Sequence, residues 1–95
     1  MVFNFEQVHN YYERLVFEQV ARLSESYLEY SADMLVDVAC VALNRLPARY
    51  VRHDVDLMFY LTEQERHGIQ KSLDEAIVFA FAFVGESLAK RMPPA

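Results

Sequence analysis

At 95 residues the chain is shorter than the length at which a second hydrophobic core usually forms, so one domain over residues 1–95 is expected. Hydrophobic residues make up 54% of it, with six Tyr and seven Phe; this excludes disorder, and it is more aromatic surface than so short a monomer easily hides, so self-association is expected. Fourteen acidic residues against nine basic give a net charge of -5, which argues against binding DNA or RNA by phosphate neutralisation.

Cys40 is the only cysteine, which removes any intrachain disulfide and any four-cysteine zinc site. The N-terminal residues have neither a basic leader region nor an apolar stretch and do not read as a signal peptide. The longest wholly apolar run, residues 76–84, falls well short of the ~20 residues that cross a bilayer. A soluble, cytoplasmic protein without a membrane partner is the expectation.

Two glycines and three prolines leave the interior nearly free of breakers, so long helices follow. Asn4 caps a first predicted helix ending near residue 24, with Phe5, Val8, Tyr12, Leu15, Val16 and Leu23 on one arc and Phe17 on the opposite side. Ser31 caps a second, which Pro47 ends after Leu46, because the residue before a proline avoids the α region. Its apolar residues, Val36 among them, cover most of the circumference and predict a central helix. Asp33, Asp37 and Asn44 form a narrow polar stripe with Cys40 at its edge, and Cys40 reads as a small core residue.

From residue 48 to 61 the helical period is lost, and alternating Val51, Val55 and Leu57 predict an extended connection or a short strand. Thr62-Glu63-Gln64-Glu65 is a capping box that starts a last helix at Glu63, running to about Arg91. Ile69, Leu73, Ala76, Ile77, Ala80, Val84 and Leu88 give it one apolar face, and Val78, Phe79 and Ala82 add a second. A helix apolar on both sides must be covered on both sides, most simply by another subunit. The fold class is therefore all-α: three main helices, one short irregular connection, and a homodimer.

The densest chemical feature is Asn44-Arg45-Leu46-Pro47-Ala48-Arg49-Tyr50-Val51-Arg52-His53, with three arginines and no acid. Guanidinium groups beside a tyrosine ring can fork a phosphate, stack on a base or pair with the edge of guanine. The same arginines could instead make surface ion pairs with Glu25, Glu29 or Asp54, which would be nearly neutral in energy. Asp33 and Asp37, four residues apart, share a helix face and offer a secondary site. His9, His53 and His67 fall in different elements without ligand spacing and read as surface residues, so neither a metal site nor a catalytic constellation emerges.

The stretch from Asp37-Val38 through Leu43-Asn44-Arg45-Leu46-Pro47 to Arg49-Tyr50-Val51 resembles the late competence protein ComFB family, whose pattern has a proline where this chain has Ala48. The resemblance runs more weakly through the last helix and covers roughly residues 30–88. It implies an all-helical, dimeric, cytoplasmic bacterial domain, and with no catalytic constellation in the residues neither a cofactor nor enzymatic activity is expected. Some members look like receptors for cyclic di-GMP or cyclic di-AMP, and a downstream protein partner would carry the signal onward. Other members carry cysteines linked to a structural zinc just before the Asp-Val pair. Tyr27-Leu28-Glu29-Tyr30-Ser31-Ala32 stands there instead, so zinc is not carried over and aromatic packing is expected in its place. Chemistry and place in the pattern together select Arg45, Arg49, Tyr50 and Arg52 as ligand-binding residues, with Asp37 from the polar stripe.

Overall fold

In the computed structural model, which describes the backbone of residues 1–91 and the side chains of residues 1–87, four α-helices flank a two-stranded antiparallel ribbon. In chain order these are a 3-10 turn at Phe5–Gln7, β1 (His9–Asn10), α1 (Tyr12–Leu23), a second 3-10 turn at Ser24–Ser26, α2 (Ala32–Arg45), β2 (Tyr50–Val51), α3 (Asp54–Tyr60) and α4 (Glu63–Arg91). The molecule is elongated and thin, 58 × 38 × 21 Å. α4, 29 residues long, measures about 43 Å at 1.5 Å per residue.

Local chemistry sets the helix ends. The Ser31 hydroxyl accepts the amide of Met34 at 3.2 Å and opens α2, while Leu46 leaves it with extended backbone before Pro47. Thr62 accepts the amide of Glu65 at 3.0 Å, and the Glu65 carboxylate returns to the Thr62 hydroxyl at 3.3 Å, so α4 begins at Glu63 as the capping box predicts.

The predicted first helix is two pieces. Asn4 does cap a helical turn, through its bond to the amide of Glu6, but that turn ends at Gln7. Asn10 then restarts the helix: its side chain accepts the amide of Tyr12 at 3.2 Å, and the Glu13 carboxylate accepts the amide of Asn10 at 3.1 Å. An asparagine offers the backbone an alternative to helical bonding, and here that alternative wins. Phe5 and Val8, expected in the core, are exposed as a result.

The main core is the seam between α1, α2 and α4. Val16, Val38 and Ile77 are fully buried at its centre, each contributing about 1.5–3 kcal/mol through burial. Ala42 and Ala80 carry no exposed surface, so small side chains sit where α2 meets α4. Tyr27 stacks on Phe81 with centroids 4.2 Å apart, and the Tyr30 hydroxyl donates to the Phe81 carbonyl at 2.7 Å. The aromatic packing expected over residues 27–32 is thus present, anchored by Tyr27 and Tyr30 on Phe81. A second, smaller cluster of Tyr11, Leu57 and Leu61 lies beneath α3.

Three further expectations need correction. The connection from residue 48 to 61 contains a strand but also α3, a fourth helix whose first turn holds Asp54 and Asp56, the charge that suits a helix N-terminus. α2 does pack against both α1 and α4, but most of its apolar circumference is not covered: only Val38, Ala39 and Ala42 are buried in it, and Val36 is exposed. Cys40 is exposed rather than in the core. The second apolar face of α4 exists, and Val78, Phe79 and Ala82 lie exposed on it; Leu88 lies outside the described side chains.

Candidate functional site

β2 follows the loop after Pro47 and is held against the start of the chain. His9 pairs with Val51 and Asn10 with Tyr50. Asn10, buried and polar, accepts the amide of Arg49 at 3.0 Å in addition to that of Tyr12, and the Arg49 carbonyl accepts the amide of Tyr11 at 2.7 Å. Alternation along the strand puts Tyr50 and Arg52 on one side and Arg49 and Val51 on the other. Val51 packs inward on the Tyr11–Leu57–Leu61 cluster. Tyr50 therefore points outward, and 69% of its surface is exposed.

The arginines of the island take different partners. Arg52 donates to the Gln7 side chain at 2.8 Å. Arg45 lies over the Phe79 ring, 3.9 Å from its centroid, beside a small cavity lined by Pro47, Ser72, Glu75 and Ala76. Arg49 is exposed, and its charge partly opposes the rise that burial gives to the pKa of the Tyr12 phenol. Ion pairs with Glu25, Glu29 or Asp54 are not formed, and Asp54 is already taken by His9 and Arg14. Tyr50 and Arg52 thus share the outward side at β2 and Arg49 lies just before the strand on its other side, whereas Arg45 is drawn toward α4. Asp37 is exposed and lines a separate cavity with Met34, Cys40, Phe83 and Ser87. Among the described residues no group of His, Cys, Asp and Glu is placed to hold a metal.

A clasp between β1 and α3 has no counterpart in the sequence reading, which takes His9 for a plain surface residue. The ring of His9 is half-buried, with Nε2 2.7 Å from the Asp54 carboxylate and Nδ1 2.8 Å from the Gln7 carbonyl. Both partners only accept, so the imidazolium alone can donate to both. The Gln7 carbonyl, and after it Asp54, hold the pKa of His9 above the ordinary 6.5. Because the folded value exceeds the unfolded one, the stabilisation is complete below pH 6.5 and is lost as pH rises through the folded value. The gap in melting temperature between the wild type and His9→Gln should therefore narrow as pH is raised. A gap constant with pH would mean the ring is neutral in the fold.

These features define a small helical domain whose distinctive chemistry is an exposed arginine and tyrosine edge rather than a buried reactive cluster. The family model described as late competence development protein ComFB matches residues 9–87, and the chain belongs to that family. The match reaches back to His9 and so takes in β1 and α1, well before the pattern readable in α2 and β2. No curated protein and no solved structure matches the chain. Among the described residues no helix is long and apolar enough to cross a membrane.

Proposed function

We propose that this chain is a non-enzymatic, cytoplasmic signalling domain that binds a cyclic dinucleotide, cyclic di-GMP or cyclic di-AMP, as a homodimer and relays it to a partner protein. The observation that carries the reading is Tyr50, an exposed ring on a pinned strand, with the exposed Arg49 and Arg52 before and after it in the chain and no carboxylate paired to either. A flat ring takes a base, and guanidinium groups take the phosphates. The family match adds a regulatory context. A two-fold symmetric ligand suits a two-fold dimer, since each subunit offers the same groups to each half.

Arg49→Ala keeps the backbone bonds to Asn10 and Tyr11 and removes only the guanidinium. It should weaken cyclic dinucleotide binding about tenfold, or about 1.4 kcal/mol, and leave the melting temperature of the free protein unchanged. Titration calorimetry of both nucleotides into both proteins reads this directly. No heat with either nucleotide would transfer the assignment to the alternative, a helical adaptor without a small ligand, which the exposed apolar surfaces of α1, α2 and α4 favour.

The dimer is assigned to the outer stripe of α4, where Val78, Phe79 and Phe83 are exposed and the last two rings stack 5.8 Å apart. Phe79→Glu places a charge there and also removes the ring beneath Arg45, so monomer or aggregate should result. A wild type that sediments as a monomer at micromolar concentration would remove the dimer from the proposal.

A further inference from the structure

The outer side of the α1–α2 pair carries an open trough of about 440 Å³ whose walls are almost wholly apolar: Phe17, Val20 and Ala21 from α1, Leu35, Val36 and Ala39 from α2. Phe17 and Val36 are 51% and 63% exposed, so their burial is incomplete in this chain alone. No residue of α4 lines the trough, which sets it apart from the stripe assigned to the dimer. The lining residues on this side run from Phe17 in α1 to Ser24 just past its end, about 10 Å or two helical turns. That is the footprint of a helix presenting apolar residues at i, i+3 or i+4, and i+7.

The charge beside the trough is one-sided. Between Arg22 and Arg45 the chain carries Glu25, Glu29, Asp33 and Asp37 and no lysine or arginine. All four carboxylates are exposed, and none has a cationic partner among the described residues. Glu25 follows Ser24 in the 3-10 turn at the end of α1, and Asp33 lies one turn before Val36 on α2, whereas Asp37 lines the separate cavity toward α4. Arg22 is five residues past Phe17 and so turned well away from it around α1. Arg14 is already engaged with Glu18 and Asp54. A second copy would bring the same acids and the same net charge of -5 against this face, and like charges disfavour that encounter.

We propose that the trough receives an amphipathic helix of a partner protein, its apolar stripe on Phe17 and Val36 and its lysines or arginines opposite Glu25 and Asp33. This supplies the chemistry of the partner in the proposed relay, yet it uses none of the residues of the Arg49–Arg52 island and stands or falls separately from nucleotide binding.

Two synthetic amphipathic helices with the same leucine stripe, one with lysine and one with glutamate on the polar face, test it by fluorescence anisotropy against the full chain. The lysine peptide should bind and the glutamate peptide should bind at least about tenfold more weakly. Replacing both Phe17 and Val36 by Ser, or changing Glu25→Gln together with Asp33→Asn, should each weaken the lysine peptide about tenfold at unchanged melting temperature, because all four side chains are exposed. Arg49→Ala should bind it as the wild type does, whatever that change does to nucleotide affinity. Failure of the lysine peptide to bind, equal binding of the two peptides, or indifference to the Ser pair would overturn the proposal. So would self-association of the wild type that the Ser pair abolishes, which would give the trough to a second copy.

Discussion

Replacing Asn10 by Leu should lower stability by about 3 kcal/mol, although the side chain is nearly the same size and enters a buried position. Its carboxamide oxygen accepts two backbone amides at once, Tyr12 at 3.2 Å and Arg49 at 3.0 Å, 39 residues apart in sequence. Leucine satisfies neither, and each stranded amide costs about 1–3 kcal/mol. Asn10→Asp keeps an acceptor in place and should recover most of the loss. The same oxygen starts α1 and fixes β2, so in Asn10→Leu the Arg49, Tyr50 and Arg52 edge should loosen with the fold. Denaturant melts give the stability, and amide exchange at Arg49 reports the edge itself. If Asn10→Leu melts like the wild type while exchange at Arg49 stays slow, other bonds hold β2 and the assignment to Asn10 is wrong.

The helices that were legible from sequence are those with both a cap and a long period. α2 has Ser31 before it and Pro47 after it, and α4 has its capping box and a face that repeats from Ile69 to Val84. α1 was overextended because Phe5 and Val8 fall in phase with Tyr12 and Val16; a break costs the pattern nothing when the residues around it keep the period. The cue was present in Asn10 and Glu13, a cap residue followed at the third place by a glutamate. α3 is seven residues long, less than two full turns, which is too short for periodicity to separate from alternation.

The candidate site is legible to the extent that it is local: Arg49, Tyr50 and Arg52 are neighbours in sequence and stay at or beside β2. What sequence could not supply is contact across the chain: His9 meets Asp54 from 45 residues away, and Arg45 meets the ring of Phe79 rather than a carboxylate. Cys40 and Val36 were misplaced for a related reason. A helix rich in apolar residues has more of them than its two neighbours cover, and composition does not say which side is left bare. For Val36 that bare side is the wall of the α1–α2 trough, and for Cys40 it is the cavity toward α4.

Gly85→Ala should destabilise the protein by about 2 kcal/mol, against the helix-propensity gain of about 1 kcal/mol that the change brings in mid-helix. Gly85 sits inside α4 beneath the Tyr30 ring, and a Cβ there would lie within contact distance of the Tyr30 hydroxyl, with nothing between them. The ring has little room to retreat. Its hydroxyl donates to the Phe81 carbonyl, and its face meets Tyr27 and Phe81 with centroids 5.2 and 5.7 Å away. Moving it would break that bond and open the aromatic block at the seam of α2 and α4. Two companion changes fix the cause. Gly68→Ala, at the other glycine of α4, meets no atom within 4 Å and should stabilise by up to about 1 kcal/mol through propensity alone. Tyr30→Phe removes the atom in the way, so Gly85→Ala should cost much less on that background, and a double-mutant cycle gives the coupling between the two sites. If the cost of Gly85→Ala is the same with Tyr or Phe at position 30, the hydroxyl is not what requires glycine at position 85.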